Sequence, residues 1–128
     1  RGVDVRILTA GGRTDVNVVR LAGRAWYDTL LVAGVRVYEW QPTTLHAKTF
    51  VVDGEWFTVG SMNFDNRSMA LNDEATLMVL DRAAGENMNR TFLDDLRYAE
   101  EITLETFRRR SWLQRMAEWG ANSLTRLL

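Results

Sequence analysis

The sequence predicts an α/β domain, a mixed β-sheet flanked by helices with a helical C-terminal tail. Three patterns carry that reading. Strand, helix and strand follow one another over the first 40 residues, a succession that calls for a parallel pair. Asp53-Gly54 stands between two apolar runs, the sequence form of a tight hairpin. Beyond Ala83 the apolar positions recur at helical spacing. With 128 residues, 46% of them hydrophobic, a single domain over 1–128 can bury a core without disulfides or metals. Residues 103–128 form the tail within it.

Val3 to Leu8 alternates apolar and polar residues, as a half-buried strand does. Gly11 and Gly12 end it. Thr14 or Asp15 can cap the next helix by accepting from its free N–H groups. Val18, Leu21, Ala22, Ala25, Trp26, Leu30 and Ala33 then give one continuous helix an apolar face. Gly34 suits the left-handed position after it, and Val35 to Trp40 is the second strand. Pro42, the only proline, marks a break. Leu45 to Val52, Trp56 to Ser61 and Asp73 to Leu80 read as three further strands. A helix runs from Ala83 through Phe92, Leu96 and Ala99 to about Ile102, and a last segment starts near Leu104. The chain opens at Arg1 and enters apolar sequence at once. It therefore reads as a piece of a longer protein, since true termini usually carry a polar lead-in.

Composition removes several function classes. Sixteen basic and seventeen acidic side chains give a formal charge of −1, which counts against nucleic acid as a partner. The absence of cysteine excludes thiol nucleophiles and thiolate metal sites. No apolar run approaches the length of a membrane span. The single histidine, His46, lies two residues from Lys48, the single lysine among fifteen arginines.

A two-residue turn at Asp53-Gly54 would set Val52 opposite Glu55, Lys48 opposite Val59 and His46 opposite Ser61. Strand residues two apart share a face, as do directly paired ones. His46, Lys48, Ser61 and Asn63 would then crowd one surface, with Gly60 admitting a close approach to the backbone. A one-residue change in turn length would scatter the set. The group suits a phosphodiester. Lys48 supplies a compact positive charge. Ser61 and Asn63 supply neutral donors for charge growing on phosphorus oxygens. His46 can act as nucleophile or as acid and base. Glu74, at the start of the next strand, is the candidate carboxylate to orient it.

His46, Lys48, Asp53, Gly60, Ser61 and Asn63 fit the pattern H-x-K-x4-D-x6-G-S-x-N without a mismatch. Six fixed matches would arise by chance roughly once in several hundred thousand chains of this length. The pattern resembles the HKD motif of the phospholipase D superfamily. The similarity continues through Phe64-Asp65-Asn66-Arg67-Ser68 and Asn72-Asp73-Glu74 and is closest to bacterial cardiolipin synthases. Arg1 to Arg6 and Ala33 to Val37 resemble the segments that lead into the second HKD motif of those enzymes.

The resemblance implies an α/β sandwich, a covalent phosphohistidine, and neither a metal nor any other cofactor. It also implies two HKD motifs that together form one site. One histidine attacks phosphorus and the other protonates the leaving alcohol. In cardiolipin synthases the phosphatidyl group passes to the hydroxyl of a second phospholipid, usually phosphatidylglycerol. Carried over, His46 is one of the two histidines, Lys48 and Asn63 bind phosphate, and Glu74 partners His46. A single motif cannot fill both histidine roles, so the other half comes from upstream in a parent chain or from a homodimer mate. The implied location is peripheral to, or anchored at, the bacterial cytoplasmic membrane. The alternative enzyme is a homodimeric HKD phosphodiesterase, nuclease or phospholipase D hydrolase. The alternative of another class is an inactive phosphate- or lipid-binding half-domain.

Other features read more simply. Asp53 is explained by the turn. Ser61 serves either phosphate or the support of its neighbours, and Glu74 has a strand-end role as its bland alternative. Arg67 reads as a structural ion-pair partner and Gly11-Gly12-Arg13 as a loop. Asp65, Asp73 and Glu74 are not read as a metal cluster. In the tail, Trp112, Met116 and Trp119 share a helical face beside Leu113, near Arg108, Arg109, Arg110 and Arg115. This stripe is read as packing on the domain's own core or on a missing half, with a membrane interface as the alternative.

Overall fold

The computed structural model describes residues 2–14, 16–63 and 73–125. In chain order its elements are β1 (Arg6–Ala10), α1 (Asn17–Arg24), α2 (Tyr27–Val32), β2 (Arg36–Trp40), β3 (Thr49–Val52), β4 (Trp56–Gly60), β5 (Thr76–Leu80), α3 (Arg82–Leu96), β6 (Ala99–Ile102), α4 (Leu104–Arg108) and α5 (Trp112–Thr125). They form two compact units. One joins the residues up to Leu45 with those from Tyr98 onward, and the other runs from His46 to Arg97.

The first unit contains the expected parallel pair. β1 and β2 run from Arg6 opposite Arg36 to Ala10 opposite Trp40. β6 adds antiparallel to β2, with Val37 opposite Ile102, so the sheet β1-β2-β6 is mixed. Tyr27, Val37, Ile102 and Phe107 form the core, and Leu30, Leu31 and Val35 pack around it.

Beneath this core lies a buried ion network. Glu39 accepts from Arg20 at 2.7 Å, from Arg24, and from the Tyr27 hydroxyl at 3.3 Å. Glu118 accepts from Arg24 at 3.0 Å and from Arg110 at 2.9 Å. Burial works against the Arg24 charge, but its bonds to Glu118 and Glu39 outweigh that and raise its pKa. Burial, followed by the nearby Glu39 carboxylate, pushes the Tyr27 phenol up.

The second unit is an antiparallel sheet, β3-β4-β5, with α3 against β3 and β4. α3 is capped by Asp81, whose carboxylate accepts from the Ala84 N–H at 2.8 Å. Gly85 lies against the Gly54 carbonyl, where a Cβ would collide with backbone. The helix thus rests directly on the hairpin turn.

Several expectations are corrected. β1 starts at Arg6, not Val3, and β3 starts at Thr49, not Leu45. The single helix over Val18 to Ala33 is two. Ala25 and Trp26 donate to Ala22 and Gly23, three residues back, and this tightened turn separates α1 from α2. Thr14 accepts from the Val16 N–H at 3.4 Å, while α1 has no side-chain cap at its Val16 N-cap; Asp15 lies outside the described residues. Gly34 takes φ +86°, as its helix-ending position requires. The long helix stops at Leu96, and Ala99–Ile102 is a strand. There Ala and Glu follow the β2 edge against their helical propensity, and Arg36 reaches across to Glu101 at 2.8 Å. In the tail, α5 turns Glu118 and Ala121 inward and leaves Trp112, Leu113, Met116 and Trp119 exposed. The apolar stripe is therefore not the face that packs on this unit's core.

Candidate active site

The second unit positions the motif through its hairpin, whose register differs from expectation. Val52 faces Trp56 and Thr49 faces Val59, so the turn contains Asp53, Gly54 and Glu55. Asp53 takes φ +52° and Gly54 φ +65°, and the Glu55 N–H closes the turn on the Val52 carbonyl at 3.0 Å. Asp53 thereby has the turn role its spacing implied. The extra turn residue moves every pairing by one. Lys48 is not opposite Val59; its carbonyl accepts from the Gly60 N–H at 3.2 Å. His46 and Lys48 lie in the irregular segment ahead of β3, so strand alternation does not set their directions.

They meet nevertheless. Lys48 Nζ is 3.0 Å from His46 Nε2 and donates to the His46 carbonyl at 2.9 Å. An ammonium has only donors to offer, so Nε2 is the acceptor and the ring proton belongs on Nδ1. In this contact the Nε2 lone pair points at a fixed positive charge. His46 is exposed and Lys48 is half-buried, which gives a ligand access to both.

Gly60 is required here by its neighbour strand. A Cβ at this position would lie 2.5 Å from the Ala75 carbonyl oxygen and 2.8 Å from Thr76 Cα. Ser61 then ties β4 to the lead-in of β5. Its N–H donates to the Ala75 carbonyl at 3.0 Å, and its hydroxyl accepts from the Ala75 N–H at 3.1 Å. The same hydroxyl donates to Glu74 Oε2 at 2.5 Å. Ser61 thus holds the Glu74 carboxylate. Asn63 is exposed two residues further on. Phe64 to Asn72, with Asp65 and Arg67, lie outside the described residues.

An apolar groove of about 440 Å³ runs along one face of this sheet. Phe50, Trp56, Thr58 and Met78 line it, with Met62, Thr76 and Glu74 towards the motif end. The groove was not legible in the sequence, because its face depends on the hairpin register. The buried Glu39 was equally missed, although an acid inside the apolar run Val35 to Trp40 was a usable signal.

Comparison with known proteins matches this arrangement to a family. Residues 1–96 fit the family model described as cardiolipin synthase, PLD-like domain. A cardiolipin synthase of Geobacillus kaustophilus is 40% identical over 127 residues, covering 99% of this chain and 25% of that protein. Cardiolipin synthase A of Pseudomonas putida is 40% identical over 116 residues, covering 91% of this chain and 24% of that protein. The chain spans about a quarter of the length of these curated relatives. Among solved structures, a phospholipase D family member, Nuc from Salmonella typhimurium, superposes with a TM-score of 0.63 at 19% identity, covering 80% of this chain and 66% of that one. That likeness shows the fold, a phospholipase D-like α/β architecture. The fold, the complete HKD spacing and the family match agree, and the chain belongs to the PLD-like domain family of cardiolipin synthases.

Proposed function

We infer that the chain is one phospholipase D-like domain supplying one HKD half of a phosphatidyltransferase of cardiolipin-synthase type. The observation that carries this is the 3.0 Å approach of Lys48 Nζ to His46 Nε2, which sets an imidazole beside a phosphate-binding charge. His46 is one histidine of a pair whose other member comes from an upstream HKD half or a homodimer mate. One of the two forms a bond from its ring nitrogen to phosphorus of a phospholipid as the bond to the leaving alcohol oxygen breaks, and the other protonates that oxygen. The hydroxyl of an acceptor lipid then gives its proton to the latter histidine and attacks phosphorus, and the P–N bond breaks. Lys48 and Asn63 hold the non-bridging oxygens, and Ser61 joins them by keeping Glu74 in place. Glu74 orients His46. The apolar groove beside Glu74 favours a lipid over a nucleic acid, since it sets a greasy floor next to a polar site. The work site is the surface of the bacterial cytoplasmic membrane, with phosphatidylglycerol as the leading substrate.

The test uses the parent enzyme, or the chain itself if it dimerises, with phosphatidylglycerol labelled at phosphorus. A covalent, acid-labile phosphohistidine label should appear, persist in EDTA and vanish in His46→Asn. Label passing to a lipid alcohol supports the transferase, and label passing only to water supports the hydrolase reading. No label with a competent second half present overturns both.

A further inference from the structure

We propose that Lys48 caps the reactive nitrogen of His46, and that an anionic phosphodiester uncaps it by drawing the ammonium onto its own oxygens. This deepens the reading of His46 and Lys48 as a phosphodiester site and rests on it. The two residues then act in a fixed order. The anion engages Lys48 first, and His46 becomes competent second.

Two donors of one ammonium are committed to one residue. Lys48 Nζ stands 3.0 Å from His46 Nε2 and 2.9 Å from the His46 carbonyl oxygen. An ammonium cannot accept, so the Nε2 lone pair receives an N–H from Lys48. That lone pair is the one the reaction needs, because in this contact the other ring nitrogen bears the proton. Either histidine role requires it, as the electron pair of a nucleophile or as the place that holds the leaving group's proton. Position excludes sharing as well. A reacting phosphorus must come within about 3–3.5 Å of the nitrogen, along the lone pair. Lys48 Nζ already stands at that distance, and its hydrogen bond takes up that direction.

Charge drives the exchange. Among the described residues Lys48 has no carboxylate partner. Its two acceptors are a ring nitrogen and a carbonyl oxygen, neither of which carries a negative charge. A phosphodiester offers two non-bridging oxygens that share a full negative charge, and a hydrogen bond with charge on both sides is the stronger one. The flexible four-carbon stem lets the ammonium follow the anion. An uncharged electrophile offers Lys48 no such acceptor and leaves the cap in place. Lys48 thus selects substrates by their charge at phosphorus, besides holding that charge.

The chain has one histidine and one lysine, so each can be followed without ambiguity. The first measurement is carbethoxylation of His46 by diethyl pyrocarbonate, an uncharged reagent, at about pH 8.5, where an ordinary imidazole is neutral. Lys48→Met keeps an apolar stem and removes the cap. It should speed the reaction by about tenfold or more, the share that a hydrogen bond from a charged donor withholds. The second is a titration of the nitrogen-labelled chain with dimethyl phosphate. The Lys48 Nζ resonance should move as the anion binds, and the Nδ1-protonated form of His46 should give way over the same concentrations. An unchanged rate in Lys48→Met would show an open lone pair and overturn the proposal. A Lys48 response with the His46 nitrogens unmoved would also overturn it, since the ammonium would then bind the anion without leaving the ring, and the phosphodiester reading would stand. No Lys48 response to dimethyl phosphate would overturn both.

Discussion

Lys48 Nζ sits within hydrogen-bonding distance of both His46 Nε2 and the His46 carbonyl oxygen, at 3.0 and 2.9 Å. One cation thereby fixes the ring nitrogen that carries the lone pair and the backbone that carries the ring. The expected outcome is a preference for the Nδ1-protonated tautomer of His46, read from nitrogen chemical shifts in a labelled sample. Lys48→Met should release this preference and let the two tautomers mix. A predominantly Nε2-protonated ring in the parent chain would contradict the geometry.

Gly60 and Gly85 make two backbone approaches that no side chain fits. A Cβ on Gly60 would lie 2.5 Å from the Ala75 carbonyl oxygen, and one on Gly85 would meet the Gly54 carbonyl. Gly60→Ala and Gly85→Ala should each lose about 1–3 kcal/mol in urea unfolding, the usual cost of overpacking. Gly12→Ala is the control, since its Cβ would point into open space. Equal midpoints for all three variants would remove the close-packing account.

Glu118 compensates Arg24 and Arg110 together. Glu118→Ala leaves both guanidinium groups largely buried with a partner missing. The expected loss is about 3–5 kcal/mol, as for other broken buried pairs. A loss under about 1 kcal/mol would mean that water reaches the cluster.

Glu101 supplies a pH dependence. Its hydrogen bond from Arg36 is the largest influence on its carboxyl and, against the penalty of burial, lowers its pKa. A lowered folded pKa stabilises above the unfolded value, and that contribution fades as pH falls through the folded value. Glu101→Gln should therefore reduce stability modestly near neutrality and flatten the acid limb of the stability curve. The effect is small because the pair is exposed. Superimposable acid limbs would show that the pair contributes nothing.

The parallel β1-β2 pair was readable because strand alternation and helical spacing are both local signals, and Gly34 marked the boundary between them. The helix break at Ala25 and Trp26 was not readable, since neither residue is a breaker and the tightened turn follows from seating Tyr27 in the core. β6 was hidden for a related reason. Ala99, Glu100 and Glu101 favour a helix locally, and only the free edge of β2 makes them a strand. At the site, the HKD spacing identified the residues without knowing how they meet. Asp53-Gly54 was a true turn signal, but the count of turn residues depends on where Glu55 goes. The reasoned face-sharing through cross-strand pairs therefore failed, while His46 and Lys48 came together by a direct contact that pairing rules do not describe.

The two units differ in how they are threaded. The one from His46 to Arg97 is continuous, whereas the other joins the first segment of the chain to the last. During synthesis the continuous unit has all its strands and α3 as soon as Arg97 has emerged. The discontinuous unit must wait for β6 and α5, and until Glu118 arrives Arg24 has lost one of its two carboxylates. Its β2 edge also stands uncovered until β6 emerges and pairs with it, an opening for wrong pairings in the interval.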